Sequence, residues 1–258
     1  MASHTTLRSL LALPLAGGIA YLAYLAAPCR SMRFIWHAAP GHATSFPMHV
    51  IDPASNPTEE ETYILGIPLR KLTKGISDEE ILARLSRGYF GGWGFSPERW
   101  IAPWVQGIID HDVVTNATIS NGDASAELVK ISSPDSLSRD HLPALGACLF
   151  DLYYLLDTSA CSTEHRTRVF PGSAQFPRPE GTFAEYAGRT KGRSLAASHR
   201  FEVIRETVAG EEQVKIIYSH VRSNPRTGGR VYSTVMTGLH VLYAHLLFAD
   251  GIREVLNR

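Results

Sequence analysis

Side chains that could move a proton alternate with apolar residues near the end of the chain, at His199, Tyr218 and His220. Side chains two positions apart in a β-strand lie on the same face. Two predicted strands therefore project these groups onto one face, which they share with Phe201 and Val203. An imidazole and a phenol in an apolar cavity can protonate and deprotonate an enolisable carbonyl, as cyclisation, isomerisation or dehydration requires. We predict His199, Tyr218 and His220 as catalytic residues; the alternative is a set of core residues with satisfied hydrogen bonds.

Positions around these three groups are predicted to contact a substrate. Arg222 and Asn224 follow His220 at the end of its strand, where they could hold a carboxylate or carbonyl oxygen. Glu185 and Tyr186 could add a weaker pair from an adjoining strand. The predicted substrate-binding residues are Phe201, Val203, Arg222, Asn224, Tyr186 and Trp93.

Trp93 belongs to a stretch rich in glycine and aromatic residues, residues 88–104. The stretch lacks the GxGxxG spacing of a nucleotide-binding loop. It fits a turn in which glycine lets the backbone pass close to packed rings. It also fits an aromatic lip on a ligand cavity, or a contact with a membrane surface, and the sequence leaves these readings open.

The remaining titratable residues match no metal or nucleophile motif. His240 and His245 are five apart on a predicted helix, whereas a helical zinc pair needs a spacing of four. In a strand, Asp110 and Asp112 would face away from His111. The chain lacks a GxSxG elbow, an HExxH motif, a Walker motif and a Cys-x-x-Cys pair. We predict no metal site and no cofactor.

Two strands and a long closing helix must position the candidate residues. The predicted hairpin opposes Phe201 to His220 on one face and pairs Glu206 with Lys215 on the other. From Gly238 to Leu256, apolar residues recur at helical spacing and widen into a stripe that predicts cover on most sides. A long helix laid across a curved antiparallel sheet leaves an apolar space between the layers.

The segments RPEGTFAEYAGRTKGRSLAASHRFEV and VKIIYSHVRSNP, followed by the last helix, resemble the START-like, helix-grip (polyketide-cyclase-like) superfamily over residues 180–258. The resemblance implies an α+β fold in which a curved antiparallel sheet is closed by the C-terminal helix. It transfers no catalytic residue. In style the chain is also similar to uncharacterised tailoring proteins of fungal secondary metabolism, which implies a cofactor-free cyclase, isomerase or dehydratase acting on an apolar molecule. A non-catalytic carrier of a hydrophobic ligand and a membrane-associated interaction subunit remain alternatives.

Two further segments give local predictions. Ser77, followed three positions later by Glu80, predicts the start of a helix. Residues 140–157 repeat leucine at helical spacing and predict another apolar helix.

Residues 9–28 carry no charge and are long enough to cross a bilayer as a helix. We predict an uncleaved single-pass anchor, in the endoplasmic reticulum; a cleaved signal peptide and a buried core helix are the alternatives. The orientation is open because arginines flank both ends. A glycosylation sequon at Asn116 matters only if the body is lumenal. The predicted division is an anchor at 1–30, a linker at 31–62 and a single α+β domain at 63–258.

Composition argues against two classes of protein, those that bind nucleic acids and those held together by several disulfides. The 258 residues include 25 basic and 25 acidic side chains, so the chain lacks the positive charge typical of nucleic-acid binding. Three cysteines are too few for a disulfide framework. We expect reduced thiols, although an oxidising compartment would allow a bridge between Cys148 and Cys161.

Overall fold

The computed structural model describes residues 27–105, 107, 109–112, 114, 117, 129–176 and 178–257, which form an α+β fold. Residues 9–26 of the predicted anchor and the sequon at Asn116 lie outside these residues. The strands are β1 (Arg33–Ile35), β2 (Thr58–Pro68), β3 (Lys130–Ile131), β4 (Cys148–Leu149), β5 (Tyr153–Thr158), β6 (Thr182–Arg189), β7 (Ala196–Val208) and β8 (Glu211–Ser223). The helices are α1 (Phe46–Ile51), α2 (Asp78–Gly91), α3 (Ser96–Val105), α4 (Thr163–Val169) and α5 (Thr234–Leu256).

All these strands join one open sheet in the order β1-β2-β8-β7-β6-β5-β4-β3. The predicted α+β class is confirmed. The sheet is mixed, however, because β3 and β4 are parallel while every other neighbouring pair is antiparallel. Helices α2 and α5 pack on one face, and α1 packs on the other.

The hairpin of β7 and β8 closes through a two-residue turn. Val208 pairs directly with Glu211, and the turn residues Ala209 and Gly210 have φ of 52° and 82°. Two positive φ angles in sequence match the twist of a hairpin, and glycine adopts the second without strain. The turn is tighter than predicted, since the sequence was expected to close at Gln213.

This tighter turn shifts the predicted register by two residues and keeps every side chain on its predicted face. Phe201 lies opposite Tyr218 rather than His220. A shift of two preserves the faces because side chains alternate with a period of two. Glu206 and Lys215 are diagonal neighbours, yet Lys215 Nζ still lies 2.8 Å from Glu206 Oε2.

Helix α2 begins where predicted, with the Ser77 hydroxyl accepting from Glu80 N at 3.1 Å. It crosses α5 at very close range because glycines meet at the crossing. A Cβ on Gly88 would lie 2.6 Å from Asp250 O, and one on Gly251 would lie 2.8 Å from Leu85 Cδ1. Such contacts require glycine at both positions.

Helix α5 is buried along its second half only. Its first half exposes Val235, Leu239 and Leu242 by 74%, 55% and 57%. The prediction of cover on most sides is therefore wrong for this half. Its second half packs in the core through Ala244, Leu247, Phe248, Ile252 and Val255. In the part of the chain described, α5 is the helix long and apolar enough to cross a membrane, judged by length and composition.

The helix predicted over residues 140–157 is wrong. The segment forms β4 and β5 instead, and Phe150 and Asp151 between them have φ of 53° and 57°. Two left-handed residues reverse the chain and cannot belong to an α-helix. Both faces of the sheet are covered here, so leucines point to each side. Their spacing along the chain therefore resembled that of a helix.

Residues 31–62, predicted as a linker, contain β1, α1 and the start of β2. Phe46, Met48 and Ile51 of α1 are buried against the sheet. The Ser45 hydroxyl accepts from Met48 N at 3.3 Å and caps this short helix. This segment therefore covers the sheet face opposite α2 and α5.

Candidate functional site

A cavity of about 410 Å³ lies between the sheet, α3 and the first half of α5. Its apolar wall includes Phe95, Leu239 and Leu247. Polar groups also reach this wall, among them Tyr89, Glu98, Tyr153, His199 and His240. A largely apolar cavity with a few converging polar groups is the usual form of a small-molecule site.

His199 reaches the cavity from β7, supported by two tyrosines. Tyr218 Oη lies 2.9 Å from His199 Nδ1 and 2.8 Å from Tyr89 Oη. If Tyr89 donates to Tyr218 and Tyr218 donates to Nδ1, the imidazole carries its proton on Nε2. His199 Nε2 is buried and has no hydrogen-bond partner among the described residues. In that tautomer the cavity-lining His199 has an N–H at Nε2 that no described residue accepts.

The protonation states of these groups follow from burial. Burial lowers the pKa of His199 well below its ordinary value, and nearby His220 and His240 lower it further. Burial also raises the pKa of Tyr218 well above its ordinary value, with Glu61 adding to the effect. At neutral pH the site therefore presents a neutral imidazole and a neutral phenol.

A second polar cluster adjoins this one and joins three separate elements. Glu61 on β2 lies 3.0 Å (Oε1) from His240 Nε2 on α5 and 3.4 Å from His220 Nδ1 on β8. The rings of His220 and His199 stack with centroids 4.5 Å apart. Arg222 Nη1 lies 3.3 Å from His220 Nδ1. His220 and Arg222, both predicted site residues, thus lie behind His199 and His240, which line the cavity.

Opposing effects set the charge of this cluster. Burial acts to raise the pKa of the Glu61 carboxyl, but His220 and His240 outweigh it and hold the pKa below the ordinary value. Burial lowers the pKa of His220 to about 4, although Glu61 opposes the shift. Glu61 is therefore ionised and His220 neutral near pH 7.

The other predicted contacts lie away from the cavity wall. Phe201, Val203 and Tyr186 are buried in the core on the helix-facing side, where Tyr186 Oη donates to Ser86 Oγ at 2.9 Å. Glu185 lies on the opposite face of the sheet, bonded to Arg200, so the two neighbours do not form a pair.

Asn224 and Trp93 also lie outside the cavity wall. Asn224 Oδ1 accepts from Arg226 N and Thr227 N, both at 3.2 Å, and so stabilises the turn after β8. Trp93 is 64% exposed in the turn between α2 and α3. In the same stretch, Phe95 rather than Trp93 lines the cavity.

Sequence reasoning missed Glu61, Glu98 and His240. Glu61 alternates with Tyr63 and Leu65 at the two-residue spacing of a strand, which puts a carboxylate on an apolar face and is a usable signal. Glu98 and His240 gave no such signal, because helical spacing did not single them out from the other polar residues of their helices. The sequence compared His240 only with His245 on the same helix, whereas its partners Glu61 and His220 come from the sheet.

A third polar network lies on the opposite sheet face and contains Ser198, His42 and Glu185. His42 Nε2 lies 3.0 Å from Ser198 Oγ, which donates to Glu185 Oε1 at 2.8 Å. In a nucleophilic triad the histidine stands between the serine and the acid. Here the serine stands between the other two, and Arg200 neutralises Glu185. This fully buried network is structural.

The Asp110-His111-Asp112 group does not converge either. Asp110 Oδ2 accepts from Arg189 Nη2 at 2.6 Å, and His111 Nδ1 contacts Tyr154 Oη. Both contacts tie this segment to the sheet.

Cys148 and Cys161 are free thiols in the structure.

Comparison of the chain with protein-family models, with curated proteins and with solved structures gives no match.

Proposed function

We propose that this chain is a membrane-tethered enzyme that binds an apolar carbonyl compound in the 410 Å³ cavity and catalyses proton transfer on it. Cyclisation, isomerisation and dehydration are the reaction types in this class. The observation that carries the proposal is the buried, unpartnered Nε2 of His199 on an otherwise largely apolar wall. The resemblance to helix-grip proteins supports the same reading of the sheet and closing helix.

The proposed role of His199 is to stabilise charge on the ligand. Removing a proton next to a carbonyl moves negative charge onto its oxygen. A neutral imidazole N–H can hydrogen-bond that oxygen as the charge develops. Tyr218 and Tyr89 hold the ring at Nδ1 and leave Nε2 unbonded, which makes them positioning residues.

Glu98 is our candidate for the base that removes the carbon-bound proton. It lines the same cavity, and burial raises the pKa of its carboxyl, with Tyr243 acting in the opposite direction. A raised pKa makes a carboxylate a better base near neutral pH. His240 is the second candidate on this wall.

The mouth of the cavity suits a ligand that arrives from a membrane. Met236 and Leu239 line the cavity and are about half exposed, at 49% and 55%. On neighbouring α3, Trp100 and Trp104 are 74% and 81% exposed. We propose that residues 9–28 anchor the chain, as their uncharged length supports. Residues Ala27–Cys29, at the end of this segment, contact α5.

The experiment is complementation of a deletion strain, with the accumulated metabolites profiled by mass spectrometry. Wild-type protein and His245→Gln should restore the missing product, because His245 does not line the cavity. His199→Gln and Glu98→Gln should fold with little change in melting temperature and lower product formation by about a hundredfold or more. Full product from both variants would overturn the catalytic proposal.

A hydrophobic-ligand carrier is the second candidate, favoured by the exposed apolar residues at the mouth. A carrier would co-purify with its ligand, and His199→Gln would weaken binding without changing the ligand's chemical structure. Mass spectrometry of ligand extracted from the purified protein separates the two functions.

A further inference from the structure

Three donor atoms from distant parts of the chain form a compact triangle beside the cavity. Glu61 Oε1 lies 3.0 Å from His240 Nε2 and 3.4 Å from His220 Nδ1. The two histidine nitrogens lie 3.2 Å apart. Their elements, β2, β8 and α5, meet only in the folded domain.

The edges of this triangle fit the coordination sphere of a metal ion. First-row ions bind histidine nitrogen and carboxylate oxygen at about 2.0–2.2 Å. Two such ligands that subtend roughly 90–110° at the ion are about 3.0–3.4 Å apart, in octahedral or tetrahedral geometry. The three observed distances, 3.0, 3.2 and 3.4 Å, cover this same interval.

The Glu61 carboxylate supplies a second, independent observation. It is fully buried, and neither oxygen accepts a hydrogen bond of good geometry from the described residues. An uncompensated buried carboxylate is costly, so such groups are normally saturated with donors. Glu185 shows the usual case on the other sheet face, accepting from Ser45, Ser198 and Arg200. Glu61 thus has unfilled acceptor capacity directed at the two histidines.

The nearby arginine does not fill this capacity. Arg222 Nε donates to Glu59 Oε2 at 3.0 Å, so its charge already has a partner. Its Nη1 lies 3.6 Å from Glu61 Oε2, the oxygen outside the triangle. Arg222 Nη1 also lies 3.3 Å from His220 Nδ1, a contact that an ion bound to this nitrogen would replace. Arg222 leaves Glu61 Oε1 and His240 Nε2 for another cation.

We propose that Glu61, His220 and His240 bind one divalent first-row transition ion. Two imidazoles and one carboxylate suit Zn²⁺ or Fe²⁺, whereas Mg²⁺ and Ca²⁺ prefer oxygen ligands throughout. His240 also belongs to the cavity wall, so the ion lies at the edge of the cavity. Three protein ligands leave coordination positions open, as in catalytic rather than structural sites.

This inference deepens the proposed function and rests on it for the substrate class. An ion beside His199 can accept a carbonyl or carboxylate oxygen of the ligand and polarise it. The substrate class is then an apolar molecule with an oxygen donor at one end. The prediction from sequence of a reaction without a metal would be replaced by a metal-assisted one.

The test is titration of the full-length, chelator-treated protein in detergent with Co²⁺ alone, followed by visible absorption and by calorimetry. We expect one ion per chain and a higher melting temperature on binding. His240→Ala and Glu61→Gln should weaken binding by more than the roughly 10–100-fold that loss of an outer hydrogen-bond partner costs. His245→Ala is the matched control, five residues along the same helix and outside the triangle, and should bind as wild type.

Two results would overturn the metal site: a wild-type protein that binds no Co²⁺, or equal binding by wild type and all three variants. Because His240 is partly exposed, His240→Ala should fold even if Glu61→Gln does not. Product formation that depends on His199, together with a failure to bind Co²⁺, would refute this inference and leave the proposed function intact.

Discussion

His240 Nε2 lies 3.0 Å from Glu61 Oε1, although the two residues come from the closing helix and from the second strand of the sheet. Their contact forms only when α5 is docked on β2 and β8. Tyr63 Oη reinforces this docking by donating to Val241 O at 3.0 Å, one residue after His240. Cavity, histidine cluster and helix packing are therefore parts of one arrangement.

The two halves of α5 should respond differently to the same substitution. Leu247 is 3% exposed and Leu242 is 57% exposed. Leu247→Ala should cost about 2–5 kcal/mol of unfolding free energy, because it removes buried contacts and leaves a cavity. Leu242→Ala should stay within about 0.5 kcal/mol of wild type. Urea unfolding of both variants measures the difference, and equal losses would contradict the exposure of the first half.

A buried and a surface ion pair provide a second matched comparison. Glu185 and Arg200 are fully buried, with the Oε2–Nη2 distance at 2.8 Å. Glu185→Gln removes the shorter of two carboxylate contacts to Arg200 and leaves Glu202 Oε1 at 3.6 Å from Nη1, so it should cost up to about 3 kcal/mol. Glu164→Gln removes a pair whose side chains are 83% and 70% exposed, so it should cost less than about 1 kcal/mol. Thermal unfolding is the measurement; a stable Glu185→Gln protein would show that the network on this face is dispensable.

His42 should make the stability of the fold depend on pH. Burial lowers the pKa of His42 well below its ordinary value, and Arg200, His220 and His199 lower it further. The Glu185 carboxylate 3.5 Å away favours the charged form, but Arg200 neutralises it. Ser219 and Ser198 hold the neutral ring at 2.8 Å and 3.0 Å.

The direction of the pH dependence of stability follows from the number of protons bound in the folded and unfolded states. Below the unfolded pKa of 6.5 the unfolded chain binds a proton at His42 that the folded protein excludes, so stability falls as the pH falls. The loss is at most about 1.4 kcal/mol per pH unit for one such group. Unfolding free energies at about pH 7.5 and about pH 5.5 should differ less in His42→Gln than in wild type. An unchanged difference would mean that His42 titrates normally in the fold.

The anchor proposed at residues 9–28 predicts membrane retention. Full-length protein should remain in the pellet after alkaline carbonate extraction, because an uncharged helix of this length partitions into hydrocarbon. A protein lacking residues 1–26 keeps the contact of Ala27–Cys29 with α5 and should move to the supernatant or be released by salt. Full-length protein in the supernatant would contradict the anchor.

The sequence pattern predicted which side chains share a face of the sheet, but it did not predict all the residues that form the site. Phe201, Tyr218 and His220 share the expected face because alternation survives a register shift of two residues. His240 could not be paired with Glu61 from sequence, since no local spacing connects a strand near the start with the last helix. The cavity-lining role of Phe95 instead of Trp93 likewise depends on the turn after α2.

The prediction of a helix over residues 140–157 was wrong for a different reason. Leucine at intervals of three and four indicates a helix only where one side faces water. Leu149 and Leu156 are both fully buried, in separate clusters on the two sides of the sheet. Glu185 and Tyr186 are both buried, but as neighbours in a strand they point to opposite faces of the sheet, so they do not form a pair.

The outermost strands of the sheet are short, with three residues in β1 and two in β3. An exposed strand edge can recruit a strand from another molecule and seed fibrils. Here the thirteen-residue strands β7 and β8 are paired along both sides, in the interior of the sheet. Strand order itself thus guards the protein against fibrillar association. Residues 33–35 cover Thr62–Ile64 in the middle of the eleven-residue β2, and their loss would leave the outer side of β2 without any strand partner and free for intermolecular pairing.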